Sequence, residues 1–182
     1  STLMAAAAIV DDVRIRGEVA LREHAIRLGD LSDDAPHVLG RDALDAALVE
    51  VGPEVEALLR RTAGRIRVFA DAQRAALQSV EVPIPGGVAG SQVAPVQRAG
   101  CYAPGGRYPL PSSVLMTAVT ARAAGVTEVW VASPRPAPIT LAAAAVAEAD
   151  AFLCVGGAQA IAAFAYGAGE VRPMDVVVGP GN

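Results

Sequence analysis

The stretch Ala151-Phe152-Leu153-Cys154-Val155-Gly156-Gly157-Ala158-Gln159-Ala160-Ile161-Ala162-Ala163-Phe164-Ala165-Tyr166 decides the fold. Five apolar residues read as a buried strand, Gly156-Gly157 as a sharp turn, and the Ala-rich run from Ala158 to Tyr166 as a helix. The same strand–loop–helix unit recurs upstream. Val96 to Tyr102 is a strand candidate that closes on Ala103-Pro104-Gly105-Gly106. Ser112-Ser113 can cap a helix from Val114 to Ala124, stopped by Gly125. Val126 to Ala132 is a strand, Ser133-Pro134-Arg135-Pro136 a loop, Ile139 to Ala149 a helix, and Asp175 to Val178 a last strand. Short apolar strands alternating with helices imply a parallel sheet with right-handed crossovers.

The residues before this module read differently. Ile9, Val13, Ala20, Leu21 and Leu28 fall on one helical face, interrupted by Gly17. Asp30 to Gly40 is a polar turn, and a helix follows from Arg41 to Val51. Gly52-Pro53 ends it, and Pro53 suits the first turn of a third helix running to about Leu77. From Val80 to Ala94 the prolines and glycines preclude a helix, with Val80, Val82 and Ile84 alternating as a short extended segment. The expected architecture is α/β: a helical segment over 1–80, a Pro/Gly-rich connection over 81–94, and an incomplete Rossmann-like parallel sheet with flanking helices over 95–182. The chain opens on Ser1 and stops on the loop Gly179-Pro180-Gly181-Asn182, so it is expected to be part of a longer enzyme. A sheet cut there should leave apolar surface uncovered and the piece poorly soluble.

Composition excludes several classes. The 182 residues are 53% hydrophobic with a net charge of −4, enough for a core and without a basic face for nucleic acid. All 15 basic residues are Arg, so these residues contain no Lys for a Schiff base and no P-loop. Ser1 to Val10 lacks the basic start of a signal peptide, and the uncharged run Ala151 to Gly169 is broken by glycines. A soluble, cytoplasmic protein is expected. His24 reads as a helix-surface or packing residue and His37 as a solvated turn residue. Cys101 and Cys154 read as buried free thiols. Cys154 ends a strand, where a thiol could serve aldehyde oxidation, but its apolar neighbours argue for inertness. On the first helices Glu18 and Arg22 are spaced as an i,i+4 ion pair.

Three Gly-rich loops leave carboxyl ends of strands, and in a doubly wound sheet such ends share one edge. Each supplies a polar head: the Tyr102 hydroxyl, the Gln159 amide and the Asn182 amide. The helix opening near Ala158 offers free N–H groups that suit a phosphate. The sequence has no Gly-x-Gly-x-x-Gly fingerprint.

Gly100-Cys101-Tyr102-Ala103-Pro104-Gly105-Gly106, then Pro109-Leu110-Pro111-Ser112-Ser113-Val114-Leu115-Met116, resemble the histidinol dehydrogenase family. So do Val155-Gly156-Gly157-Ala158-Gln159-Ala160-Ile161-Ala162, Tyr166-Gly167, Gly179-Pro180-Gly181-Asn182 and the helical motif Arg16-Gly17-Glu18-Val19-Ala20-Leu21-Arg22-Glu23. The resemblance implies a homodimeric, zinc- and NAD-dependent enzyme. Such an enzyme oxidises L-histidinol through L-histidinal to L-histidine and passes two hydrides to two NAD molecules. It implies NAD contacts at Tyr102, Gln159 and Asn182. It places the zinc ligands and the acid–base Glu-His pair beyond Asn182, so that no catalytic or metal residue falls within these 182 and the piece alone is inactive. The alternatives are a related NAD-dependent dehydrogenase of another small alcohol and a non-catalytic nucleotide-binding module.

Overall fold

In a computed structural model, residues 2–105 and 108–180 are described. Helices α1 (Thr2–Arg16) and α2 (Glu18–Arg27) are separated by Gly17, whose φ of 60° only glycine takes without strain. A three-residue strand β1 (Val38–Gly40) leads into α3 (Arg41–Glu50) and the long α4 (Gly52–Ala75). A hairpin of β2 (Val80–Ile84) and β3 (Gly87–Ser91) precedes the main unit. That unit runs β4 (Arg98–Tyr102), α5 (Pro111–Ala123), β5 (Glu128–Ala132), α6 (Pro138–Val146), β6 (Ala151–Leu153), α7 (Gly157–Tyr166) and β7 (Val176–Val178).

The sheet order is β1-β6-β5-β4-β7. β4 through β7 are parallel, with Gly100 opposite Trp130 on one side and Val177 on the other. The chain steps outward from β4 to β5 to β6, then returns through α7 to place β7 beyond β4. This is a doubly wound sheet, and its direction of winding reverses between β4 and β7.

Strand alternation divides the core. Val129, Val131, Ala99, Cys101 and Phe152 face α3, α4, α5 and α6. Trp130, Ala132, Ala151 and Leu153 face α1, α2 and α7. Burial on both faces is what a parallel sheet requires, and it explains the unbroken apolar strands. In α6, Ala142 to Ala145 are all buried, and their small side chains let α3 lie close. On the opposite face Gly100 leaves room for Phe164: a Cβ there would come within 2.5 Å of the ring.

Two expectations are corrected, and a third, the extended segment over Val80–Ile84, is completed to a hairpin. The polar turn over 30–40 ends in β1, which pairs antiparallel with β6 at Val38↔Leu153, so the sheet is mixed. Three residues are too few to show a period of two. The Pro/Gly-rich connection contains an antiparallel hairpin turned by Pro85-Gly86, exposed along its length. Finally, α5 begins at Pro111, with Leu110 at its N-cap. Ser112 and Ser113 therefore lie in the first turn instead of capping it. The first helices are part of the same body as the sheet, since Val13, Leu21 and Ala25 share a core with Leu153 and Phe164.

Candidate cofactor cleft

Open α/β sheets bind ligands outside the carboxyl ends of the strands where the winding reverses. Here that point lies between the ends of β4 and β7. A cleft of about 480 Å³ opens there, lined by Tyr102, Gly157, Ala158, Ile161, the end of β7, and Gly179-Pro180. Its walls are mainly apolar, with Tyr102 and the first turn of α7 as polar features.

The loops that form this edge are interlocked. Tyr102 ends β4, and its hydroxyl oxygen accepts the N–H of Gly157 at 3.1 Å. The phenolic proton is thereby left to donate to a ligand. Gly179 lies so close to β4 that a Cβ would collide with the carbonyl oxygen of Tyr102, and its φ is +151°. Glycine is required there both by backbone conformation and by space. The Pro134 ring, from the loop after β5, fits between Gly105 and Gly156. A side chain on either glycine would strike it. A smaller hollow of about 280 Å³ lies over this neighbouring part of the edge, beside Pro104, Ser133 and Arg135.

Tyr102 stands half-buried at the cleft wall. Gln159 is only 2% exposed, and its Nε2 donates to Asp30 Oδ2 at 3.1 Å. The same carboxylate oxygen accepts the N–H of Gly156 at 2.9 Å. The structure thus brings the Tyr102 and Gln159 loops together around the Gly156-Gly157 turn, and the third expected contact, Asn182, lies outside the described residues. Sequence reading missed Asp30. An acidic residue in a polar turn carries no signal of its own, and its partners are more than 120 positions away.

The thiols are accounted for by burial. It pushes the Cys154 thiol up to about 12 and the Cys101 thiol up to about 11, so both are protonated and unreactive at neutral pH. His37 is buried at 7% exposure, not solvated as its turn position implied. Its Nδ1 lies 3.1 Å from Arg22 and its Nε2 3.4 Å from Glu18, and desolvation lowers its pKa. Arg22 donates to the Asp33 and Ala35 carbonyls and does not pair with Glu18 as expected. Arg16 instead forms ion pairs with Asp12 at 2.5 Å and with Glu23 at 2.8 Å. His24 Nε2 sits 2.7 Å from Asp12. Among the described residues no group of three His, Cys, Asp or Glu is placed to hold a metal, and no helix is long and apolar enough to cross a membrane.

Fold and cleft together define a doubly wound α/β protein with an open cleft at the sheet's switch point. The chain belongs to the histidinol dehydrogenase family, whose model matches residues 1–182. It is 43% identical over 180 residues to a histidinol dehydrogenase of Methanosarcina mazei, covering 96% of this chain and 41% of that protein. It is 44% identical over 184 residues to one of Thermobifida fusca, with the same two coverages. A protein called histidinol dehydrogenase homolog 1, from Mesorhizobium japonicum, is 40% identical over 179 residues, covering 96% of this chain and 36% of its own length. The crystal structure of histidinol dehydrogenase from Elizabethkingia anophelis superposes with a TM-score of 0.86 at 24% identity. It covers 100% of this chain and 43% of that one, and the likeness bears on fold. The chain spans about two fifths of the length of its curated relatives.

Proposed function

We propose that residues 95–182 form the NAD-binding module of a zinc- and NAD-dependent histidinol dehydrogenase, which oxidises L-histidinol via L-histidinal to L-histidine. The observation that carries this reading is the cleft at the β4–β7 switch point, in a chain that belongs to the family. The residues present fit a dinucleotide. Gly157 and Gly179 line the cleft, their positive φ letting the loops turn tightly there, and α7 starts at the cleft with N–H groups at its first turn. The apolar face made by Ala158, Ile161 and Val177 suits a ring. Tyr102 would donate its phenolic proton to a cofactor oxygen, and Asn182 is the third NAD contact that the family resemblance implies. Gln159 would act from beside Gly157. When bound, NAD accepts the hydride.

The described residues do not make a zinc site. In this reading the metal and the acid–base pair belong to residues beyond Asn182, and residues 1–182 bind cofactor without turnover. The intact protein is then a cytoplasmic homodimer, as the family resemblance implies.

The test uses the full-length protein. Formation of two NADH per L-histidinol, abolished by chelation and restored by zinc, is the expected result. An Ala158→Arg variant should lose NAD binding by calorimetry. Undiminished NAD affinity in that variant would remove the cleft from the cofactor site. Turnover of a different small alcohol in preference to L-histidinol would make the protein a related dehydrogenase. The presence of a relative called a homolog among proteins called histidinol dehydrogenase keeps that second reading in the assay.

A further inference from the structure

We propose that Asp30, on the loop after α2, is a positioning residue of the cofactor cleft; the inference rests on the cofactor reading given above. Its Oδ2 accepts two hydrogen bonds from the α7 entry, one from Gly156 N–H at 2.9 Å and one from Gln159 Nε2 at 3.1 Å. The neighbouring N–H, that of Gly157, is held by the Tyr102 hydroxyl. The two successive amides of the turn are therefore fixed from opposite sides, by a carboxylate from the N-terminal helical layer and by a phenol from β4.

The chemistry of the carboxylate decides more than the position of the turn. An ionised carboxylate only accepts, so it selects the NH₂ end of the Gln159 amide. The carbonyl end is then placed beside Gly157. Oε1 lies 2.9 Å from where a Cβ on Gly157 would stand, and Gly157 lines the cleft. Without Asp30 the amide could present either end. With it, the buried Gln159 amide has one orientation, and its carbonyl end supports Gly157, which lines the cleft. A buried, hydrogen-bonded pair of this kind also tolerates loss of one partner poorly, because the other is left unsatisfied.

The consequence is a coupling between two remote parts of the sequence. Residue 30 belongs to a loop that makes no part of the cleft lining, yet it sets the geometry of a turn that does. The same loop is anchored further along, where the His37 carbonyl accepts the N–H of Cys154 at 2.8 Å. The loop over 30–37 thus grips the β6–α7 connection at both ends, and Asp30 is the grip nearest the cofactor.

The experiment measures NAD affinity by calorimetry, and KM for NAD, in the full-length enzyme. Asp30→Ala should weaken NAD by about tenfold, the scale of a lost hydrogen bond to a charged group, with kcat falling less. Gln159→Glu sets two carboxylates against each other and should weaken NAD similarly. Asp30→Asn keeps one oxygen that can accept both bonds, so its NAD affinity should lie between those of the parent and Asp30→Ala. Unfolding midpoints are recorded alongside, since a role confined to stability would lower them and leave the affinity of the folded protein unchanged. Affinity within twofold of the parent in Asp30→Ala, or in Gln159→Glu, overturns the inference. If Asp30→Ala does not fold, Gln159→Glu and Asp30→Asn still decide, an Asp30→Asn protein that binds NAD no better than Gln159→Glu counting against it. Ala158→Arg separates the two failures. If it abolishes NAD binding while the Asp30 variants do nothing, the positioning role alone is wrong. If it too has no effect, the cofactor reading falls and takes the positioning role with it.

Discussion

The hydroxyl of Tyr102, at the end of β4, accepts the N–H of Gly157, at the start of α7, over 3.1 Å. These residues are 55 positions apart, and the bond closes one wall of the cleft at the sheet's switch point. Its direction matters, because a phenol that accepts from the backbone keeps its own proton for a ligand.

Tyr102→Phe should therefore affect binding more than stability. Gly157 is exposed, so its N–H can turn to water, and the stability loss should be about 1 kcal/mol or less. NAD affinity should fall several-fold in the full-length enzyme. Denaturant unfolding and calorimetry on the same samples check the split, and an unchanged affinity would show that the phenol has no ligand role.

Gly179→Ala should be costly for two reasons. The φ of +151° is strained for alanine, and the new methyl would meet the backbone carbonyl of Tyr102, which has no rotamer with which to move away. A loss of about 1–3 kcal/mol in unfolding free energy is expected, accompanied by loss of NAD binding. Gly100→Ala should cost a similar amount by overpacking the Phe164 ring, on the order of 1–3 kcal/mol, with less effect on the cleft.

His37 sets an acid sensitivity. Its folded pKa is lowered chiefly by burial, with Arg22 adding to the effect and Glu18 and Glu170 opposing it. The unfolded chain then binds the proton more readily, so stability is fully present above the ordinary histidine range and is lost as pH falls through it. Chemical denaturation between pH 7.5 and 5, roughly the span across an ordinary histidine pKa, should show this slope, and His37→Gln should flatten it. Asp12 contributes in the same sense at lower pH. Arg16 holds its carboxyl down to about 2, so that part of the stability is lost below the ordinary carboxylate range.

Cys154 should be dispensable to the chemistry. With its thiol pushed up to about 12, it should resist iodoacetamide at pH 8 in the folded protein and react only on unfolding. Cys154→Ala should keep most of the turnover of the full-length enzyme. Loss of turnover with a normal unfolding midpoint would instead make the thiol catalytic.

Much of the architecture was legible before any coordinates. The apolar strands, their glycine exits and the helices between them carry strong local signals, and α5, α6 and α7 fall within a few residues of their expected limits. β1 was not legible, because three residues in a polar stretch gain strand character only by pairing with β6. Nor was the burial of His37, whose ring lies against Glu18 and Arg22 of α2 and not against its neighbours in sequence. The candidate site divides the same way. Tyr102 and Gln159 announce themselves by their loops, whereas Asp30 has no local mark.

By itself the sequence determined the alternation of strands and helices, the family, and the glycine loops that must leave the strand ends, since these depend on periodicity and on residues with special backbone freedom. Only the tertiary structure decided the strand order, and with it the location of the switch point between β4 and β7. It also decided that one carboxylate from the helical layer would hold the Gly156 amide and the Gln159 side chain together. The physical reason is range. Propensity and turn chemistry act over a few residues, while strand order and buried hydrogen-bond partners are selected by burial across more than a hundred.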